Sequence, residues 1–246
     1  MSEQTTPRTR SDEAAAADGG ESGGFKRLWK EWIKPFLMVL VVVGSLRSAV
    51  ADWNDVPTGS MRPTILEGER IFVNKLAYDL KIPFTRLRLA EWGAPDRGDV
   101  VVLYSPADGK RLVKRVVGIP GDELEMRNSR LLVNREMAEY QPFVDGDRHA
   151  LGLDGERQEL VVWETVDAVT HPVTWTPYSP SRRQFGPLRV PDGKYWVMGD
   201  NRDNSSDSRW FGVVDRDLIV GRATAVVVSF EHWYEPRWDR FFLGLP

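Results

Sequence analysis

Hydrophobic positions are arranged in two ways along this chain. From Phe36 to Leu46 they are continuous, whereas from Asp52 to Phe230 they come in short runs separated by polar stretches. The short runs are rich in β-branched and aromatic residues and are punctuated by Gly, Pro and Asn, the pattern of strands joined by turns. They predict strands over Arg70–Asn74, Asp99–Tyr104, Arg111–Val117, Leu131–Asn134, Leu160–Trp163, Tyr195–Met198 and Ala223–Phe230. No strand alternates with a long amphipathic helix, which argues against a doubly wound parallel fold and for a mainly β, antiparallel body. Residues 123–191 hold weaker strands and long polar loops and read as an insertion, leaving 52–122 and 192–232 as the core. Residues 233–246 form an aromatic tail, with Trp233, Tyr234, Trp238, Phe241 and Phe242, expected to pack on the body or to touch a bilayer.

The continuous run has informative flanks. Lys26, Arg27, Lys30 and Lys34 precede it, with Trp29 and Trp32 among them, and Asp52 and Asp55 follow it. Basic residues before an apolar segment predict one transmembrane helix with its N-terminus inside and the rest of the chain outside, the tryptophans lying at the interface. The uninterrupted core is shorter than the roughly 20 residues a span needs. The span is therefore expected to take in Trp32 to Ala51, within an anchor region at 25–51, with Lys34 and Arg47 snorkelling. Ala49-Val50-Ala51 after a short apolar stretch also describes a cleavable signal peptide, in which case the mature chain starts at Asp52. Residues 1–24 are polar, small and acid-rich and read as a disordered tail, cytoplasmic in this orientation.

Composition narrows the chemistry. The 246 residues contain no cysteine, which excludes disulfides, thiolate catalysis and Cys-ligated zinc. A net charge of −3 gives no basic field for a nucleic-acid partner.

Three segments carry candidate chemistry. Pro57-Thr58-Gly59-Ser60-Met61-Arg62-Pro63-Thr64 is a turn in which two prolines fix φ and Gly59 permits close backbone approach. Such a turn holds a serine hydroxyl still, but an unactivated hydroxyl is a poor nucleophile and needs a base. His149, His171 and His232 are isolated in polar or aromatic sequence, and no Ser/His/Asp spacing stands out. Lys114 is the alternative. In Arg111–Gly118, period-two alternation puts Leu112, Lys114 and Val116 on one face and Arg111, Val113, Arg115 and Val117 on the other. Burial disfavours an ammonium and lowers its pKa, whereas an arginine there would stay protonated. The third segment, Gly199 to Arg209, is dense in polar residues. It reads poorly as a calcium loop, because Ser208 stands where a glycine is needed and Val214 where the bidentate glutamate belongs.

Together these segments resemble the type I signal peptidases, or bacterial leader peptidases. The nucleophile box is similar to Ser60–Thr64, the lysine box to Lys114-Arg115-Val116-Val117-Gly118-Ile119-Pro120-Gly121-Asp122, and a third box to Gly199–Arg209. Arg97–Val101 and Gly221–Ala225 extend the likeness over most of residues 56–230. The resemblance implies a mainly β fold: an antiparallel two-sheet catalytic core with an inserted second β-rich domain, preceded by one transmembrane helix. It implies a serine endopeptidase in the cell membrane that cleaves exported preproteins after small residues, without metal or organic cofactor. Carried over residue by residue, Ser60 is the nucleophile and Lys114 its general base. The Ser60 N–H and the Thr58 hydroxyl form the oxyanion hole, Thr58 standing where the family often has serine. Ser205 orients the lysine, Asp207 and Arg209 form a supporting ion pair, and Gly199 lets backbone pack against the site. Val56, Met61, Ile65 and Val113 flank the catalytic residues and are candidates for the pocket walls, or for plain core.

Other readings predict different features. A penicillin-binding protein needs its lysine three residues after the serine, where this chain has Pro63. A self-cleaving repressor-like protease shares the Ser/Lys chemistry without requiring a span. A catalytically inactive, membrane-tethered β-domain would bind exported peptides without acylation.

Overall fold

Every run marked as a strand falls in a strand, to within a residue at either end, in the computed structural model, which describes residues 27–85, 87–144, 151, 160–176, 179–232 and 234–246. The proposed tail at 1–24, His149 and Trp233 lie outside the described residues.

The apolar segment is helical. A π-type turn at Trp29–Ile33 continues into α1, Lys34–Ala49. Trp29–Ala49 is a candidate span of 21 residues, about 31 Å long at 1.5 Å per residue, close to the roughly 30 Å of a hydrocarbon core. Its Trp32, Phe36, Met38 and Val41 side chains are exposed. Ala51, which the sequence pattern assigns to the span, instead starts the first strand. Its neighbour Asp52 accepts hydrogen bonds from Arg47 and Arg111, so the chain is already in polar surroundings there.

The remainder, from Arg47 onward, forms one unit of antiparallel strands. In chain order these are β1 (Ala51–Val56), β2 (Glu69–Asn74), β3 (Asp79–Lys81), β4 (Arg88–Glu91), β5 (Val100–Tyr104), β6 (Arg111–Gly118), β7 (Glu123–Arg127), β8 (Arg130–Val133), β9 (Glu136–Met137), β10 (Glu139–Pro142), β11 (Leu160–Val166), β12 (Val169–Trp175), β13 (Phe185–Arg189), β14 (Lys194–Met198), β15 (Val214–Asp215), β16 (Ile219–His232) and β17 (Glu235–Pro236). The main sheet runs β1-β2-β16-β5-β6-β14-β15, with β17 on β16; smaller sheets are β10-β11-β12, β13-β7-β8-β9 and β3-β4.

β5 and β6 are covered on both faces, which explains why Val100–Leu103 is an unbroken apolar run. Val100, Val102 and Val113 pack with Val56, Met61 and Ile65. Val101, Leu103 and Val116 pack with Tyr78, Tyr195 and Ile219 on the other side. A third cluster joins Leu124, Met126, Leu131 and Val133 to Val117, Trp196 and Met198, so the core under β7 and β8 is continuous with β6 and β14. Gly118 is part of that junction, since a Cβ there would stand 2.4 Å from the Leu124 side chain. In the aromatic tail, Phe241 packs on Phe230 and Trp238, while Tyr234, Trp238 and Phe242 stay exposed.

Candidate active site

Ser60 sits in a 3-10 turn, Gly59–Met61, between β1 and β2, and Lys114 sits mid-strand on β6. The structure brings their side chains together, with Lys114 Nζ 2.7 Å from Ser60 Oγ. Nζ also donates to the Val113 carbonyl at 3.0 Å. A neutral amine making that donation keeps its lone pair free to accept the serine proton. Lys114 is only 2% exposed. Burial pulls its pKa down to about 8; the Asp207 and Asp200 carboxylates oppose the shift, and Arg209 reinforces it.

The turn is clamped from Gly199–Arg209. The Asn201 N–H donates to the Ser60 carbonyl and its Nδ2 to the Gly59 carbonyl, both at 3.1 Å. A Cβ on Gly199 would lie 2.4 Å from the Ser60 carbonyl and 2.3 Å from Ser205 Oγ, so only glycine fits. Asp207 receives Arg209 Nε at 2.8 Å and Nη2 at 2.7 Å, and accepts the Gly199 N–H at 3.0 Å. Burial works against the Asp207 carboxylate, but the Arg209 guanidinium, the Gly199 amide and the nearby Ser205 hydroxyl outweigh it and lower its pKa. The same side chain caps α2, Ser208–Phe211, through the Arg209 N–H.

A family model described as signal peptidase, peptidase S26, matches residues 29–228. The chain belongs to this signal peptidase family. Signal peptidase I of Pseudomonas fluorescens is 36% identical over 219 residues, spanning 84% of this chain and 74% of that protein. Signal peptidase I of Pseudomonas aeruginosa is 35% identical over 222 residues, again 84% of this chain and 74% of that one. A crystal structure of a signal peptidase I from Enterococcus faecalis V583 is 28% identical, covers 53% of this chain and 97% of that chain, and has a TM-score of 0.33.

Not every residue singled out in this signal peptidase family member sits as the sequence suggests. Thr58 precedes the 3-10 turn in extended conformation, is exposed, and does not use its side chain as a cap. Ser205 makes no hydrogen bond to Lys114; its Oγ is buried without a hydrogen-bond partner of good geometry, and the Val113 carbonyl takes the second contact of the amine instead. Val56, Met61, Ile65 and Val113 do come together, but in the core. Met61 and Ile65 show no exposed surface, so as they stand they are not open pocket walls, while Val56 and Val113 keep a small exposed edge. His171 lies beside buried Glu164, Nε2 to Oε1 at 3.4 Å, and His232 stacks on Tyr234. Among the described residues no histidine hydrogen-bonds to Ser60.

Sequence reasoning missed the scaffold around the pair. Arg115 donates Nε to Asp200 Oδ1 at 2.9 Å and Nη2 to Oδ2 at 2.7 Å, and Thr64 Oγ1 donates to the same carboxylate at 2.5 Å. Arg240, from the tail, pairs with buried Glu69 and donates to the Thr64 carbonyl at 2.9 Å, while Glu69 accepts the Leu66 N–H at 2.8 Å. An arginine in a buried apolar strand demands a carboxylate, and that was the available signal for Arg115–Asp200. Nothing in the aromatic tail points to Arg240.

Proposed function

We propose that this protein is a membrane-anchored serine endopeptidase that removes signal peptides from exported preproteins, with Ser60 as nucleophile and Lys114 as general base. The observation that carries the reading is the 2.7 Å approach of a buried lysine amine to the serine hydroxyl. The neutral amine takes the hydroxyl proton as Oγ attacks the scissile carbonyl. The developing oxyanion is met by the Ser60 N–H and the Thr58 hydroxyl. The ammonium then protonates the leaving amine of the mature chain, leaving an ester on Ser60. Once neutral again, Lys114 takes a proton from water as the hydroxide attacks the ester, then returns that proton to Ser60 Oγ as the signal peptide leaves as a free acid.

Ser205, whose hydroxyl has no other well-formed bond, is available to hold the ammonium between these steps. Asp207, Arg209 and Gly199 keep the third segment against the serine turn. Val56 and Val113 border shallow apolar pockets backed by Met61 and Ile65, which suits small residues at the first and third positions before the cut. Residues 52–122 and 192–232 act as the catalytic core and 123–191 as its insertion. The anchor lies in the cell membrane with its N-terminus inside. Even fully extended at about 3.6 Å per residue, Ala51 to Ser60 spans under roughly 35 Å, so the site stays near the bilayer, where a preprotein still embedded by its own apolar segment presents its cleavage site.

The test is incubation of the detergent-solubilised full chain with a preprotein, reading products by mass. Cleavage after a small residue is expected, lost in Ser60→Ala and in Lys114→Ala although both stay folded; full activity in either refutes the pair.

A further inference from the structure

A surface cleft of about 260 Å³ opens next to the catalytic pair. Asn204, Ser205 and Ser206 from the third segment and Trp210 from α2 line it, with Pro180 and Ser181 from the loop between β12 and β13. A Cβ built on Gly199 would meet both Ser205 Oγ, at 2.3 Å, and the Ser60 carbonyl, at 2.4 Å. The cleft is therefore about one residue's width from the main chain of the nucleophile. Val56 and Val113, which border the pockets assigned above to residues before the cut, do not line it. In an extended peptide lying across Ser60, the residues after the cut are the part left to reach it.

The charges around the cleft are unevenly matched. Asp203, which also lines it, is already satisfied: its carboxylate accepts Ser181 Oγ at 2.5 Å, Arg183 Nη2 at 2.8 Å and the Thr176 N–H at 3.0 Å. Arg182 is the reverse case. Its guanidinium carbon lies 4.8 Å from the centre of the Trp210 ring, and its Nη1 donates to the Arg209 carbonyl at 2.7 Å. Among the described residues no carboxylate pairs with it, and Nε and Nη2 have no acceptor. Arg182 and Trp210 are both exposed.

A surface arginine is ordinary, but this one is held in place. Arg209 Nη1 returns a bond to the Arg182 carbonyl at 3.2 Å, so the loop is tied in both directions to the residue that also pairs with Asp207. Stacking on an indole fixes the plane of a guanidinium and leaves its edge free. A planar cation with two unused donors matches a carboxylate. Because the side chain is ordered before any ligand arrives, less freedom is lost when one binds.

We propose that Arg182, held over Trp210, recognises an acidic side chain in the mature part of the preprotein, within the first four residues after the cut. The proposal rests on the reading of Ser60 as the nucleophile of preprotein cleavage. Four residues of extended chain reach about 13 Å past the scissile bond at roughly 3.3 Å each. The contact is remote from the reacting atoms, so it acts on substrate binding. It also gives the inserted segment, which supplies Arg182, a part in substrate choice.

The test uses the detergent-solubilised full chain and preproteins that differ in one residue, aspartate or asparagine. That residue is placed in turn at the first four positions after the cut and, as a control, at the second position before it. At one of the four, kcat/KM should be about 3–5-fold higher for aspartate than for asparagine. The difference should lie in KM and fade in about 0.5 M salt. Arg182→Gln should bring the ratio to one, and Arg182→Glu should invert it. Reading each variant as a ratio between two substrates removes any shared loss of folded or active enzyme. Equal slowing of both preproteins in Arg182→Gln with the ratio intact overturns the proposal. So does a wild-type ratio of one at all four positions, or an aspartate preference confined to the control position. Failure of the wild type to cleave any preprotein overturns the reading of the Ser60 site itself.

Discussion

Lys114 and Arg115 are neighbours on β6, each nearly hidden from water at 2% and 1% exposure, yet the two faces of the strand treat their charges in opposite ways. On one face Arg115 finds Asp200 as a bidentate partner and the Gly98 carbonyl at 2.8 Å. On the other, Lys114 finds a hydroxyl and a carbonyl, and among the described residues no carboxylate within ion-pairing distance. Burial without a counter-ion makes a cation give up its proton, whereas burial with one fixes the charge permanently. The first face can do chemistry and the second can hold it in place.

The largest effect should come from making the two faces alike. Lys114→Arg keeps the charge and removes the ability to shed it, so preprotein cleavage should fall by about 10³-fold or more without loss of folded protein. On the other face, Arg115→Met leaves Asp200 buried and unpaired. Urea unfolding should report a loss of about 3–5 kcal/mol, most of it recovered in Arg115→Met/Asp200→Leu, where no charge is stranded.

Lys114→Met should do the reverse and stabilise the protein. Burial brings the lysine down to about 8 in the folded chain, from its ordinary 10.5 when exposed. Below pH 8 its burial therefore costs about 3–4 kcal/mol at 1.4 per pH unit. Between those values the unfolded chain binds the extra proton, so wild-type stability rises with pH and its deficit against Lys114→Met should close by pH 10.5. The smallest effect is on the rate profile. log(kcat/KM) should climb with unit slope below pH 8 and level off above it as the amine becomes neutral; a flat profile from pH 6 to 9 contradicts the lysine base.

This contrast was half legible in the sequence. A lysine and an arginine side by side among valines signal two buried cations on opposite faces, and period two assigns the faces. What supplies Asp200 comes from a loop some eighty residues later, and pairing at that distance leaves no local pattern. The fold shows the same division. Val100–Leu103 reads as a strand because burial on both faces makes it wholly apolar, and Val113–Val117 because β-branched valines flank its two charged residues. β1, with the sequence Ala-Asp-Trp-Asn-Asp-Val, hides little besides Val56 and carries no such pattern. β12 and β13 contain Pro172 and Pro187, residues that argue against a strand and are tolerated where the ladder is irregular or at an edge. Likewise, Val56, Met61, Ile65 and Val113 lie next to Ser60 and Lys114 in the chain. Adjacency brings residues together without saying whether they face solvent, so two of the four are wholly interior.

The parallel bridge between Thr174 and Asn201 has a consequence for exchanging parts between relatives. The Thr174 amide and carbonyl grip the backbone at Asp200 and Arg202, each at 2.8 Å, and Asn201 between them grips Gly59 and Ser60. The path from β12 to the nucleophile is thus two short steps that end on main-chain carbonyls. A transplanted 123–191 segment need not preserve most of its side chains, provided it returns a strand to the same register at Thr174; one residue of slippage there would misalign the serine even with every catalytic side chain intact.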